Sequence, residues 1–166
     1  MKVSIIGGGV IGLCSAYFLQ KEGYEVTIIE RGDISDGCSF GNMGFISPSH
    51  FIPLANPGII SQGLKWMLSS TSPFYIKPRL NLDLIQWGYH FWKSATHKKV
   101  NQNSQPLHEI LQLSRRLIET LRDDVGNVFE MQEKGCLMMC KKQKTLDHEF
   151  VIADAGEMFG LKVERL

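Results

Sequence analysis

Residues 2–18, KVSIIGGGVIGLCSAYF, place three consecutive glycines between a short β-branched run and a stretch that reads as a helix. Glycine loses more freedom on folding than any other residue, so a cluster means a sharp backbone turn or the close approach of another group. Gly7, Gly9 and Gly12 fit G-x-G-x-x-G, in which each position has its own task. The first allows a tight turn off the strand, the second lets a pyrophosphate approach the backbone, and the third lets helix and strand pack closely. The helix N-terminus then offers free N–H groups and a partial positive charge. A phosphate is the group for which the side chains are given up.

Working outward, Val3–Ile6 reads as a buried parallel strand, and a helix follows from Val10 to about Glu22. Ile11, Cys14, Ala16 and Phe18 make that helix apolar nearly all round, which predicts burial, and Gly23 stands where a left-handed C-terminal cap belongs. A second strand runs from Glu25 to Glu30. Strand, glycine turn, helix and strand within about thirty residues make one βαβ unit with parallel neighbours and a right-handed crossover. Glu30 falls about eighteen residues past Gly12, where a carboxylate accepts hydrogen bonds from an adenosine ribose. The same charge repels a 2′-phosphate and disfavours NADP. FAD and NAD both carry the ADP moiety, so the fingerprint leaves both open.

From Gly32 to Pro78 the composition shifts to Gly, Ser, Asn and Pro, with a helix expected near Pro57–Ser69 behind an Asn56 cap. Phe40, Phe45, Phe51, Trp66, Phe74 and Tyr75 make this stretch too aromatic for a disordered segment. Two helices follow, Leu82–Ala95 and Pro106–Arg122. The second carries Leu107, Ile110, Leu111, Ser114, Leu117, Ile118 and Leu121 on one stripe. KGCLMMCKK, residues 134–142, reads as a strand, and residues 145–161 read as a helix closed by Gly160.

Several function classes fall away on bulk properties. The formal net charge of +1 in 166 residues gives no electrostatic footing for nucleic acid, which needs a basic surface in excess. Cys14, Cys38, Cys136 and Cys140 are too scattered for a disulfide scaffold and fit a reducing compartment. Cys136 and Cys140 lack further ligands nearby, so no metal site is expected. The glycines break the apolar N-terminus into strand and helix, which argues against a cleaved leader, and no run reaches the length of a spanning helix. Location is therefore read as cytoplasmic, with peripheral contact at the inner face of a membrane as the closest approach to lipid.

Residues 37–54, GCSFGNMGFISPSHFIPL, with residues 57–92, PGIISQGLKWMLSSTSPFYIKPRLNLDLIQWGYHFW, resemble the D-amino-acid dehydrogenases (small subunit type) of the D-amino-acid oxidase superfamily of FAD enzymes. The resemblance spans nearly the whole chain and implies an α/β fold, a Rossmann-like FAD-binding βαβ unit joined to a helical segment and part of a substrate domain. The implied division is residues 1–80 for the N-terminal part of the FAD-binding domain and 81–166 for the helical segment and the start of the substrate domain. It also implies oxidative deamination of a D-amino acid to a 2-oxo acid by hydride transfer to the flavin, with electrons passing to a respiratory-chain acceptor.

By position, the resemblance assigns the pyrophosphate to Gly7, Gly8, Gly9, Val10, Ile11 and Gly12, and the ribose to Glu30 with Arg31 beside the adenosine. Ser39, Asn42, Met43 and Gly44 would approach the pyrophosphate, ribityl chain or flavin edge. His50, the titratable side chain of that loop, is the substrate-side candidate, set against an ordinary structural histidine. His90, His97, His108 and His148 read as surface or packing residues. Trp66, Trp87 and Trp92 mark either core or a membrane- or partner-facing surface.

Members of this superfamily are longer, and their third parallel strand and substrate-carboxylate arginine fall after Leu166, so the expectation is a truncated, N-terminal fragment, silent by itself and prone to self-association. Three readings stay open: the amino portion of a flavoenzyme for D-amino acids, or for glycine, sarcosine, proline or hydroxyproline; an NAD-dependent dehydrogenase; and a dinucleotide-binding module without chemistry.

Overall fold

Alternation of Val3 and Ile5 with Ser4, and of Val26 and Ile28 with Thr27, gives each strand one apolar face. In the computed structural model, which describes residues 1–67 and 81–165, these become strands β1 (Lys2–Ile6) and β2 (Glu25–Ile29), joined by helix α1 (Val10–Lys21). β1 and β2 pair in parallel, with Val3 opposite Val26 and Ile5 opposite Ile28, so these four half-buried residues share a face. Helix α1 packs on both strands. It ends at Glu22, and Gly23 turns the chain away at φ +83°. The sheet continues one residue into the glycine turn, where the Gly7 N–H donates to the Ile29 carbonyl at 2.9 Å.

Helix α1 is less buried than its apolar circumference predicts. Ala16 is buried, but Ile11 is 82 % exposed and Ile6, at the end of β1, is 88 % exposed. Parallel sheets are ordinarily covered on both faces, whereas among the described residues this sheet has two strands and α1 is the element packed on it. The strands accordingly alternate between exposed and half-buried positions.

Contacts divide the chain into two compact units, Met1–Phe45 and Ile46–Leu166. That contact boundary comes earlier than the division by role expected at residue 80. The second unit contains α2 (Ile59–Met67), α3 (Leu82–Ser94), α4 (His97–Val125) and α5 (Gln143–Met158). Its core is an aromatic cluster: Phe51, 1 % exposed, meets Phe159 at 4.9 Å and His108 at 5.9 Å, and His108 stacks on Phe159 at 5.1 Å. A Cβ at Gly156 would lie 3.3 Å from Leu161, so α5 is bare where the chain folds back over it.

Two helix starts differ from the sequence reading. α2 begins at Ile59, because Asn56 turns its amide to the Pro53 carbonyl and Gly58 adopts φ +89°. The expected end of that helix at Ser69, together with Phe74 and Tyr75, lies outside the described residues. α4 begins at His97 behind a Thr96 cap, whose hydroxyl accepts from the Lys99 N–H at 3.3 Å, and Pro106 lies inside the helix. Of the expected α4 stripe, Leu107, Leu111, Ile118 and Leu121 are half-buried and Ile110 is 62 % exposed, while Ser104 and His108 are buried. Glu133 returns to pair with Arg115 and Arg122.

Residues 131–140 form no strand; Leu137 and Met139 are largely exposed. A β ladder needs a partner, and none of the described residues pairs with this segment.

The closest constraint in the first unit is at Gly12, where a Cβ would fall 2.0 Å from the Gly7 carbonyl oxygen and 3.4 Å from Ile5. A backbone oxygen cannot step aside cheaply. Gly12→Ala should destabilise the first unit by about 2–3 kcal/mol, the upper end of overpacking costs. Gly41→Ala, where nothing lies within 4 Å, should change stability little. Urea unfolding followed by circular dichroism checks both; equal midpoints for the two variants would contradict the close approach.

Candidate dinucleotide site

The glycine turn leaves β1 at Gly7, whose φ of +106° excludes an ordinary side chain. It enters α1 through Gly9, which stands extended at φ −73° and ψ 176° with no side-chain cap of its own. The first N–H groups of a helix have no intrahelical partner. Here Ile11 and Gly12 contribute such amides, with no partner among the described residues, since the first helical bond of α1 is Leu13 N–H to the Gly9 carbonyl at 2.9 Å.

Two side chains from later in the chain reach this turn. Glu30, just past β2, accepts the Gly8 N–H on Oε2 at 2.5 Å, and its Oε1 accepts the Arg31 and Gly32 N–H groups at 2.7 and 3.2 Å. Its carboxyl is held below the ordinary glutamate range, chiefly by the Gly8 N–H, then by those of Gly32 and Arg31. A carboxylate has about four acceptor positions, and backbone donors fill three of them. One remains for a further donor.

Ser39 is the other visitor. Its Oγ accepts the Val10 N–H at 2.9 Å and stands 3.1 Å from where a Gly9 Cβ would be. Ile34 closes the remaining side, 3.1 Å from a Gly8 Cβ. The bare backbone of Gly8 and Gly9 therefore faces a ring made by Ile34, Glu30 and Ser39. Asn42 shapes the loop behind Ser39, donating to the Ser39 carbonyl and accepting the Gly44 N–H, both at 2.6 Å, with Gly44 at φ +65°. Met43 is 80 % exposed.

All twelve residues assigned to the cofactor thus lie in the first unit, and the structure brings Glu30 and Ser39 onto the glycine turn. His50 lies in the second unit, exposed, with Nδ1 3.5 Å from the Ser49 hydroxyl. His108 proves to be a buried packing residue. The sequence reading missed Gly32 and Ile34, which hold Glu30 and the flank of Gly8. Asp33 carried a usable signal: in Asp33-x-Ser35 its carboxylate accepts both Ser35 donors and starts the short 3-10 turn Ile34–Asp36 that presents Ile34.

Bare glycine backbone, unpaired helix amides and a carboxylate with an acceptor position to spare fit the ADP half of a dinucleotide. Residues 2–166 match the model of the FAD dependent oxidoreductase family. The chain belongs to that family. It is similar to proteins named D-amino acid dehydrogenase from Granulibacter bethesdensis, 35 % identical over 150 residues covering 89 % of this chain and 36 % of that protein. The one from Methylobacterium nodulans is 34 % identical over 167 residues, 100 % of this chain and 40 % of its own, and that from Vibrio atlanticus is 36 % identical over 148 residues, with 89 % and 36 % coverage. The chain therefore spans about two fifths or less of the length of these relatives. No solved structure matches it significantly. Among the described residues no helix is long and apolar enough to cross a membrane.

The lowered Glu30 carboxyl sets a pH dependence. A carboxyl whose folded pKa lies below its unfolded value, about 4.3, contributes stability that is present above that value and is lost as pH falls through the folded one. The Gly8 amide resonance should then titrate with a midpoint below the ordinary glutamate value and stay flat in Glu30→Gln. A midpoint at or above that value would contradict the backbone clasp.

Proposed function

We propose that this chain supplies the ADP-binding half of the FAD site of a D-amino acid dehydrogenase, an enzyme that oxidises D-amino acids to the imino acid, hydrolysed onward to a 2-oxo acid and ammonia. The observation that carries the proposal is the bare Gly8–Gly9 backbone ringed by Glu30 and Ser39. The amides of Ile11 and Gly12 are the donors for the pyrophosphate at the positive end of α1, beside the Val10 N–H that Ser39 holds. Glu30 accepts from the ribose, Arg31 lies beside the adenosine, and the Ser39–Gly44 loop borders the phosphates and ribityl chain. FAD, when bound, supplies the hydride acceptor. His50 remains the substrate-side candidate, and a respiratory-chain component takes the electrons. The division by role remains residues 1–80 for the flavin and 81–166 for the substrate side.

Adding FAD to the chain should perturb the flavin visible spectrum at saturation, while NAD competes weakly. Gly9→Val should abolish the perturbation without matching loss of fold, because its side chain occupies the pyrophosphate's space. Glu30→Arg should weaken binding by roughly tenfold or more, the worth of a charge-assisted ribose bond at about 1.5–3 kcal/mol. Full binding by Gly9→Val would overturn the phosphate assignment. The substrate class is tested by exchanging this chain for the matching 150 residues of the Granulibacter bethesdensis protein. The chimera should oxidise D-amino acids with a dye acceptor; a chimera that retains flavin yet oxidises none of them contradicts the proposal.

A further inference from the structure

Helix α3 has a covered side and an open one. Leu84, Gly88 and Phe91, at helical spacing, are half-buried. Leu82, Ile85, Tyr89 and Trp92 follow the same spacing on the adjoining face, and each is more than half exposed. The Tyr89 and Trp92 rings stand 6.2 Å apart, and Lys93 Nζ lies 6.0 Å over the Tyr89 ring. Trp87 stands off this stripe, stacked on Phe91 at 5.2 Å. A contiguous run of large apolar side chains left open in this way marks an interaction surface.

The charge that accompanies the stripe has one sign, and it says what covers the stripe. Between Asp83 and Glu109 the sequence holds Lys93, Lys98 and Lys99 and no acid, in a chain whose whole formal charge is +1. Lys98 and Lys99 are exposed, and the first turn of α4 carries no acid to offset them. Asp83, by helical spacing, falls away from the stripe. Leucine and isoleucine set beside Tyr89 and Trp92, whose rings join an apolar body to a polar O–H or N–H, match the boundary between headgroups and acyl chains. Lysines at the same level match anionic headgroups. At 13 residues α3 is too short to span a bilayer. We propose that Leu82, Ile85, Tyr89 and Trp92, flanked by Lys93, Lys98 and Lys99, dock the second unit onto an anionic lipid surface, with α3 lying in the headgroup plane. The stripe supplies insertion, and the lysines supply selectivity for anionic over zwitterionic headgroups. Salt weakens the contact by screening the lysines and leaves the apolar part in place. The glycine turn takes no part in it.

The test mixes the full chain with vesicles of phosphatidylcholine alone, or of phosphatidylcholine and phosphatidylglycerol in equal parts, and measures bound protein by cosedimentation. The parent should bind the mixed vesicles about tenfold or more tightly than phosphatidylcholine alone, from roughly fivefold per lysine near an anionic surface. Tyr89→Ser combined with Trp92→Ser should weaken binding to the mixed vesicles by about tenfold or more, since two aromatic side chains no longer leave water. Lys98→Gln combined with Lys99→Gln should weaken it by about tenfold, flatten the salt dependence and leave binding to phosphatidylcholine as it was. Met139→Ser, which removes an exposed apolar side chain outside α3, should bind as the parent does. All the substituted side chains are exposed, so circular dichroism should show the parent's helix content in every variant. No binding of the parent to the mixed vesicles, equal binding to both kinds, or full binding by the Tyr89→Ser, Trp92→Ser variant overturns the proposal. So does a dimer of the parent that this variant dissolves while vesicles stay unbound, because the stripe then pairs two copies of the chain.

Discussion

The first unit depends on one steric fact, the absence of a side chain at Gly12. A Cβ there would stand 2.0 Å from the Gly7 carbonyl oxygen, far inside any tolerable contact. Helix α1 can lie on β1 only because that space is empty, and only in that position does its first turn present its amides at the end of the sheet. The Gly7 N–H to Ile29 carbonyl bond then fixes where β2 ends relative to the turn. Glu30, one residue later, is thereby delivered to Gly8.

What surrounds the turn is electrostatic bookkeeping of a simple kind. The start of α1 carries orphan donors and partial positive charge, and the chain answers with oxygens: a carboxylate at Gly8 and a hydroxyl at Val10. A phosphate-bearing ligand offers the same chemistry with more charge. Three backbone N–H groups on Glu30 hold the carboxylate ionised and oriented, which suits a partner for neutral ribose hydroxyls and repels a phosphate at the 2′ position.

How much of this was legible in the sequence varies with how local the cause is. The βαβ unit and the glycine turn follow from period, turn chemistry and spacing within thirty or so residues, and both are found where expected. Ser39 was singled out only through family resemblance, because its contact with Val10 closes over 29 residues. Pro106 has the chemistry of a helix start, yet the Thr96 cap and nine preceding helical residues override it, since one lost bond is a small fraction of a 29-residue helix. Residues 134–142 have strand composition but no strand, because pairing is a property of two segments and composition describes one. The exposed Ile6, Ile11 and Met139 are of the same kind.

The central claim is that the turn from Gly7 to Gly12, with Glu30 and Ser39, is the cradle of a dinucleotide's ADP half. Titrating the isotopically labelled chain with FAD and following every backbone amide by two-dimensional NMR tests it most directly. The account predicts saturable shifts largest at Gly7–Gly12, at Glu30–Gly32 and at Ser39–Gly44. Shifts confined to residues beyond Phe45, or none at saturating FAD, would contradict it.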